Sequence, residues 1–356
     1  MFNNKENIRL IIFVALYIIS FLPEISLANE NEILYPIRKQ FEKEALLVWK
    51  QGFMNKQGQV VIEPTFSKVN YFKDGVALVG EQGDWGYIDK KGKIIIEIQY
   101  IWATDFSEDL AQVLIRSKEN GKMVLQTTFI DKKGNVAINK KFDFNSDVES
   151  LFKDGITCIA EDGKWGFINK KGEFVIEPIY EAARNFSEEL APVKKDGKWG
   201  FINKEGNLVI EPNYESAFPF QEGLAGIQIV GKWGFINKKG EVVIKPTYDL
   251  MEYDKPCFSE GMARICIDNK WGFINRNGET AIEPVYEFAG NFQDGMAVVK
   301  TGDKVGYLNK NGEMKIPAEF ISGEDFHQGL AFVMVSQNPD KYAYIDKKGK
   351  IIWESN

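Results

Sequence analysis

The sequence predicts an all-β protein, a tandem array of about nine three-stranded repeats of ~34 residues each. Three observations carry this expectation. An octapeptide of the form Trp-Gly-Phe-Ile-Asn-Lys-Lys-Gly recurs along the chain. A signature of Phe, two polar residues and then Gly or an acidic residue follows each copy at a steady distance. The intervening segments are short apolar runs bounded by Gly, Pro, Asn and Asp. Propeller blades usually take four strands in about 40–45 residues, whereas these units are shorter and uneven. That favours an open superhelical, solenoid-like array, with a closed propeller-like ring as the alternative.

The chain has 356 residues, 44% hydrophobic and 27% charged, an ordinary folded composition. Residues 1–28 read as a secretory signal. Lys5 and Arg9 supply the positive end, and the apolar run from Leu10 to Leu22 is too short to span a bilayer comfortably. Pro23 breaks the run, and Ser26-Leu27-Ala28 places small residues at a cleavage site after Ala28. An uncleaved anchor is the alternative, and no cysteine follows to take a lipid. The expected location is therefore secreted, periplasmic or cell-surface, with no stable membrane span after cleavage. Residues 29–48 are expected to form an N-terminal capping part-repeat, and residues 49–356 the array.

The octapeptide occurs in full at Trp85–Gly92, Trp165–Gly172, Trp199–Gly206, Trp233–Gly240 and Trp271–Gly278. Degenerate copies lie at Gly52–Gly58, Thr128–Gly134, Val305–Gly312 and Ala343–Gly349. Their aromatics fall at 53, 87, 129, 167, 201, 235, 273, 307 and 344. The second signature includes Phe72-Lys73-Asp74-Gly75, Phe186-Ser187-Glu188-Glu189 and Phe220-Gln221-Glu222-Gly223. Its outermost versions are Phe326-His327-Gln328-Gly329 and Phe41-Glu42-Lys43-Glu44. The repeats leave no room for a separate catalytic domain.

Lys-Trp-Gly-Phe-Ile-Asn-Lys-Lys-Gly followed by Glu-Pro-x-Tyr resembles the WG (KWG) repeat of bacterial proteins, over about nine-tenths of the chain. The third copy departs from it, with Thr127-Thr128 for Trp-Gly, as does the eighth, with Val305 for Trp and Pro317 one position early. Both are expected to be loose members. The resemblance implies an all-β repeat scaffold and no defined activity.

Within one unit, Leu190–Lys195 alternates apolar with polar or small residues, and Asp196-Gly197 is a two-residue hairpin signal. Trp199–Ile202 is the second strand. Asn203-Lys204-Glu205-Gly206 fits a type I turn closed by a left-handed glycine. Leu208–Ile210 is the third strand, and Pro212 is expected to end its pairing. Period two puts Trp199 and Phe201 on one face, with Gly200 and Ile202 on the other. Gly200 is expected to admit a close approach. Six tryptophans (Trp49, Trp85, Trp165, Trp199, Trp233, Trp271) are assigned to the repeat position. Such regularity favours core aromatics over sugar-binding platforms, because one unit cannot bury its face without a neighbour.

No catalytic constellation, metal set or cofactor motif emerges, and the chain is expected not to be an enzyme. One histidine rules out a histidine-rich site, and His327 reads as a solvated turn residue. Acidic pairs such as Glu188-Glu189 read as a solvated face. Cys158, Cys257 and Cys266 read as small buried hydrophobes, Cys257 and Cys266 being too far offset on a hairpin for a disulfide. A net charge of −7 argues against nucleic acid. Paired lysines recur at the turns, and Lys90, Lys91, Lys170, Lys171, Lys238 and Lys239 are the binding candidates, with Lys132-Lys133 and Lys347-Lys348 equivalent. Edge protection is the favoured reading of these pairs, multivalent contact with an anionic polymer the other. The expected function is an exported, non-enzymatic scaffold that binds a protein or a cell-envelope polymer. A carbohydrate-binding module is the alternative, a hydrolase the third.

Overall fold

The computed structural model describes residues 32–355 apart from 44–45, 120–121, 145–149 and 250–254. The expected signal, residues 1–28, lies outside the described residues. Every described element is a β-strand, and the strands group into nine small sheets in chain order. We call these blades one to nine. Blade five shows the plan: a two-residue strand Ala182–Ala183, then Ala191–Lys195, Lys198–Ile202 and Leu208–Tyr214, each antiparallel to the last. The two-residue strand was not anticipated, because a pair of residues carries no periodicity.

Residues of the repeat account for each turn and register. Asp196 and Gly197 both have positive φ, which closes the hairpin with the twist of its strands. Asn203 Oδ1 accepts the Asn207 N–H at 2.9 Å, while Gly206 closes the turn at φ +80°. Pro212 does not end the third strand. Pairing resumes beyond it at Trp199 with Tyr214, across a bulge. The bulge brings the chain against Gly200, where a Cβ would lie 2.5 Å from the Ile210 carbonyl oxygen. Blade three carries Thr128 at this position, and its Oγ1 donates to the corresponding Ile138 carbonyl at 2.7 Å. A hydroxyl there converts the close approach into a hydrogen bond.

The two faces of each blade pack on different neighbours. Trp199 and Phe201 join one cluster with Phe220 of blade six, whereas Ile202 joins Trp165 and Phe167 of blade four. Trp165, Trp199, Trp233 and Trp271 are buried, as the core reading requires, whereas Trp85 is only half-buried. Trp49 is misassigned by sequence: Gln51 holds that register, facing Phe66 as Trp85 faces Tyr100. The motif aromatic of each blade meets the signature Phe of the next, as in Phe53–Phe72, Phe167–Phe186, Phe201–Phe220 and Tyr307–Phe326, at 4.7–4.9 Å between centroids.

This chain of aromatic pairs closes on itself, so the open array gives way to the alternative. Tyr344 of blade nine pairs with Tyr35 of blade one at 5.7 Å, and donates from its hydroxyl to the Pro36 carbonyl at 2.7 Å. The protein is a nine-bladed β-propeller. Tyr35 occupies the register where the other blades carry Ala or Thr (Ala77, Ala111, Thr157, Ala191, Ala225, Ala263, Ala297, Ala331). Its ring thereby fills the place of the signature Phe. Phe41, expected in that role, instead lies within the strand Leu34–Lys43 and is exposed. Blade one comprises Leu34–Lys43, Leu46–Asn55 and Val60–Phe66, so a boundary between residues 48 and 49 falls inside its second strand.

Candidate functional site

The Asn-Lys-Lys-Gly turns and the signature turns meet on one rim of the ring, where the structure separates the members of each lysine pair. In blade four, Asn169 Oδ1 accepts the backbone N–H groups of Lys171 and Glu173 at 2.9 and 3.1 Å. That fixes the turn and leaves the Lys171 side chain in solvent. The first lysine reaches back to the preceding blade. Lys170 pairs with Glu108 at 3.0 Å, Lys238 with Glu188 at 3.2 Å and Lys310 with Glu260 at 3.1 Å. The same carboxylates accept N–H groups from the next signature turn, Glu108 from Gly155, Glu188 from Gly223 and Glu260 from Gly295. Burial pushes the Glu108 carboxyl up, but Lys170 and the turn N–H groups outweigh it and hold it below its ordinary value.

Glu188-Glu189 is therefore a joint between blades and not simply a solvated face, with Glu189 bound to Lys204 at 3.1 Å. His327 is also not a plain solvated residue. It is half-buried against Tyr71 of blade two, 4.3 Å between centroids, and burial lowers its pKa. Cys158 and Cys266 are buried and Cys257 half-buried, and none of the three is in a disulfide. Burial pushes Cys158 up to about 12, so it is protonated at neutral pH.

Around the rim the charge is uneven. Counting the described residues of both turns of each blade, blades nine, one and two together carry +4, blades three and four cancel, and blades five to eight carry −4. One feature sets the basic sector apart: blade nine carries Gln328 where other blades carry an acid, whereas blade one has Glu32 there, its carbonyl accepting from Lys90 at 2.7 Å. Lys56 consequently donates to the Gln328 carbonyl, at 2.9 Å. In blades two and nine, Asp89 and Asp346 hold the turn position of Asn169, and Lys93 and Lys350 stand where Glu173 stands. Among the described residues, Lys91, Lys93, Lys347, Lys348 and Lys350 are exposed and form no ion pair. Of the six candidates, Lys90 and Lys91 lie in this sector. Lys90, Lys170 and Lys238 are engaged between blades, and Lys171 and Lys239 are exposed outside it. Sequence reading missed the polarity because it appears only when the ring closes.

A second feature opens at the seam. A cavity of about 360 Å³ is bounded by Arg38 of blade one, Tyr71 and Lys73 of blade two, Asp105 of blade three, and Glu324 and Phe332 of blade nine. Four consecutive blades can line one cavity only near the ring axis, so the two-residue strands form the axial edge. The Arg38 guanidinium lies 4.0 Å from the Tyr342 ring centroid and 4.9 Å from that of Phe332. Lys73 pairs with Asp105 at 2.9 Å.

The fold and the rim define a tandem-repeat β-propeller with a charged edge. The model of the WG containing repeat matches residues 52–83, 85–118, 128–165, 165–199, 199–233, 233–271, 271–304 and 306–338. The chain belongs to the WG repeat family. A search of curated proteins found no match. Among solved structures, a eukaryotic initiation factor aligns with a TM-score of 0.61 at 10% identity, over 91% of this chain and 96% of that one. Hsv2 of Kluyveromyces lactis aligns at 0.41 and 9% identity, over 79% and 93%, and AztD of Citrobacter koseri at 0.39 and 9%, over 90% and 94%. At 10% identity the likeness to the initiation factor concerns fold alone. No described helix is long and apolar enough to cross a membrane.

Proposed function

We propose that the protein is an exported, non-enzymatic binding ring that holds an anionic cell-envelope polymer against the sector formed by blades nine, one and two. The observation that carries this reading is the set of five exposed, unpaired lysines gathered there on a chain of net charge −7. Such a patch attracts polyanions locally although the molecule repels them globally, and several weak contacts along one polymer add through effective concentration. The buried motif tryptophans weaken the sugar-platform alternative, since an enclosed ring cannot stack on a sugar. Poly(glycerol phosphate) titrated into the protein tests the reading. Lys91→Glu with Lys348→Glu should cut affinity at least tenfold and flatten its salt dependence, with thermal stability kept. Lys171→Glu with Lys239→Glu should have a much smaller effect. Equal losses from the two pairs would remove the basic sector as the site. For export, intact mass should place the mature N-terminus at Asn29.

A further inference from the structure

We propose that the lysine-bearing rim is a self-complementary surface on which a second copy of this chain docks face to face, about a two-fold axis lying in the plane of the ring. The order of charge around the rim carries this. Counting the described residues of both turns, blades one to nine carry 0, +2, −1, +1, −2, 0, −1, −1 and +2. A two-fold axis in the ring plane makes the blades of the two copies run in opposite senses across the interface, with every contact made twice. The register that sets blade two on blade five also sets nine on seven, three on four and one on six, and it brings blade eight against its own copy. Blades two and five, nine and seven, and three and four are opposite in sign, while one and six are neutral. Only blade eight meets like charge, and there Glu313 is tied to Lys315 at 2.6 Å. Moving the register by one blade sets two on four or three on five, like charge on like either way.

The side chains that create these charges face solvent. Lys91 and Lys93 of blade two and Lys347, Lys348 and Lys350 of blade nine are exposed, as are Glu189 and Glu205 of blade five and Glu279 of blade seven. The turns that carry them are set before any partner arrives. Asp89 Oδ1 accepts the N–H groups of Lys91 and Lys93 at 2.9 and 3.0 Å, and Asn275 Oδ1 those of Asn277 and Glu279 at 3.0 and 3.1 Å. Docking two such rims therefore orders side chains but little backbone, which keeps its entropic cost low.

Each copy also brings a net charge of −7, a repulsion spread over the whole molecule. At about 0.1 M salt the screening length is about 10 Å, so distant charges are muted while facing turns still attract. The dimer covers Lys91 and Lys348. If the rim also holds a polyanion, which rests on the function proposed above, polymer and second copy exclude one another.

Sedimentation velocity of the exported chain at about 0.1 M and about 1 M salt tests this. A dimer is expected at the lower salt and a monomer at the higher. Lys91→Glu with Lys93→Glu, and separately Glu189→Lys with Glu205→Lys, should each weaken self-association at least tenfold. An equimolar mixture of the two variants should dimerise as tightly as wild type, because blades two and five then regain opposite charge at both contacts. Turns that were merely damaged would show no such rescue. The blade-five variant should keep its affinity for poly(glycerol phosphate), so loss of the dimer and loss of polymer binding are read separately. A chain that stays monomeric up to millimolar concentration at the lower salt, or a mixture that fails to associate, would overturn the proposal.

Discussion

Individual side chains in this ring are held by two kinds of constraint, filling and clearance. Phe201 and Trp199 fill the space between blades five and six, so Trp199→Ala or Phe201→Ala should cost about 3–5 kcal/mol in denaturant unfolding, and Trp233→Ala a similar amount. Gly200 is a clearance residue. Gly200→Ala would press a methyl on the Ile210 carbonyl and should destabilise, whereas Thr128→Gly should lose the hydroxyl bond without gaining space. Asp325 obeys neither rule. Its Oδ1 is enclosed without a hydrogen-bond partner among the described residues, and burial pushes its pKa up to about 6 despite the Asn291 N–H and the Arg264 charge. A raised carboxyl pKa means that the folded state holds the proton more tightly. Its stability contribution is complete below about pH 4 and is lost as pH rises through about 6. Asp325→Asn should therefore gain about 1–2 kcal/mol over wild type at pH 7, the gap closing toward pH 4, as followed by Tm. A gap that stayed constant with pH would exclude this titration.

At the level of the blade, sequence was a good guide wherever the cause was local. The Asp196-Gly197 hairpin, the Asn203–Gly206 turn and the separate faces of Trp199 and Ile202 follow from turn chemistry and period two, and each is present. Asn237→Ala, which removes the acceptor of the Lys239 and Glu241 N–H groups, should cost about 1 kcal/mol. Legibility failed where the cause lay in another blade. Pro212 suggested the end of a strand, but a bulge carries the ladder past it to Tyr214. The partners of Lys170 and Lys238 lie 62 and 50 residues away in sequence, at Glu108 and Glu188, so the division of each lysine pair into a joint and a solvent-facing charge had no local signal. The seam cavity was hidden for the same reason.

Closure is the property of the whole molecule that the repeat pattern conceals, because an array of like units reads the same whether its ends meet or not. The two ends do differ from the repeat in ways that make them meet. Tyr35 replaces an alanine, Gln328 replaces an acid, and Tyr344, Phe332, Leu330 and Met54 form one cluster with Tyr35 and Ile37. In an open array, stability would be a sum of neighbour interfaces, and loss of a terminal unit would remove one interface while exposing another like it. In the closed ring blade nine has two interfaces. Removing residues 322–356 exposes both the blade-eight face and the Tyr35 face, and it also takes away Gln328, the acceptor for Tyr35 and Lys56. We therefore expect the truncated chain to lose cooperative unfolding or to aggregate, and not simply to melt slightly earlier. Tyr35→Ala is the subtler form of the same test. It should cost about 3–5 kcal/mol, the usual cost of emptying a buried aromatic site, although it lies at the chain's N-terminal end where an open array would tolerate it. Phe41→Ala, on the same strand but exposed, should change stability by no more than about 0.5 kcal/mol. Equal effects of the two substitutions in urea unfolding would mean that the ring does not close through Tyr35.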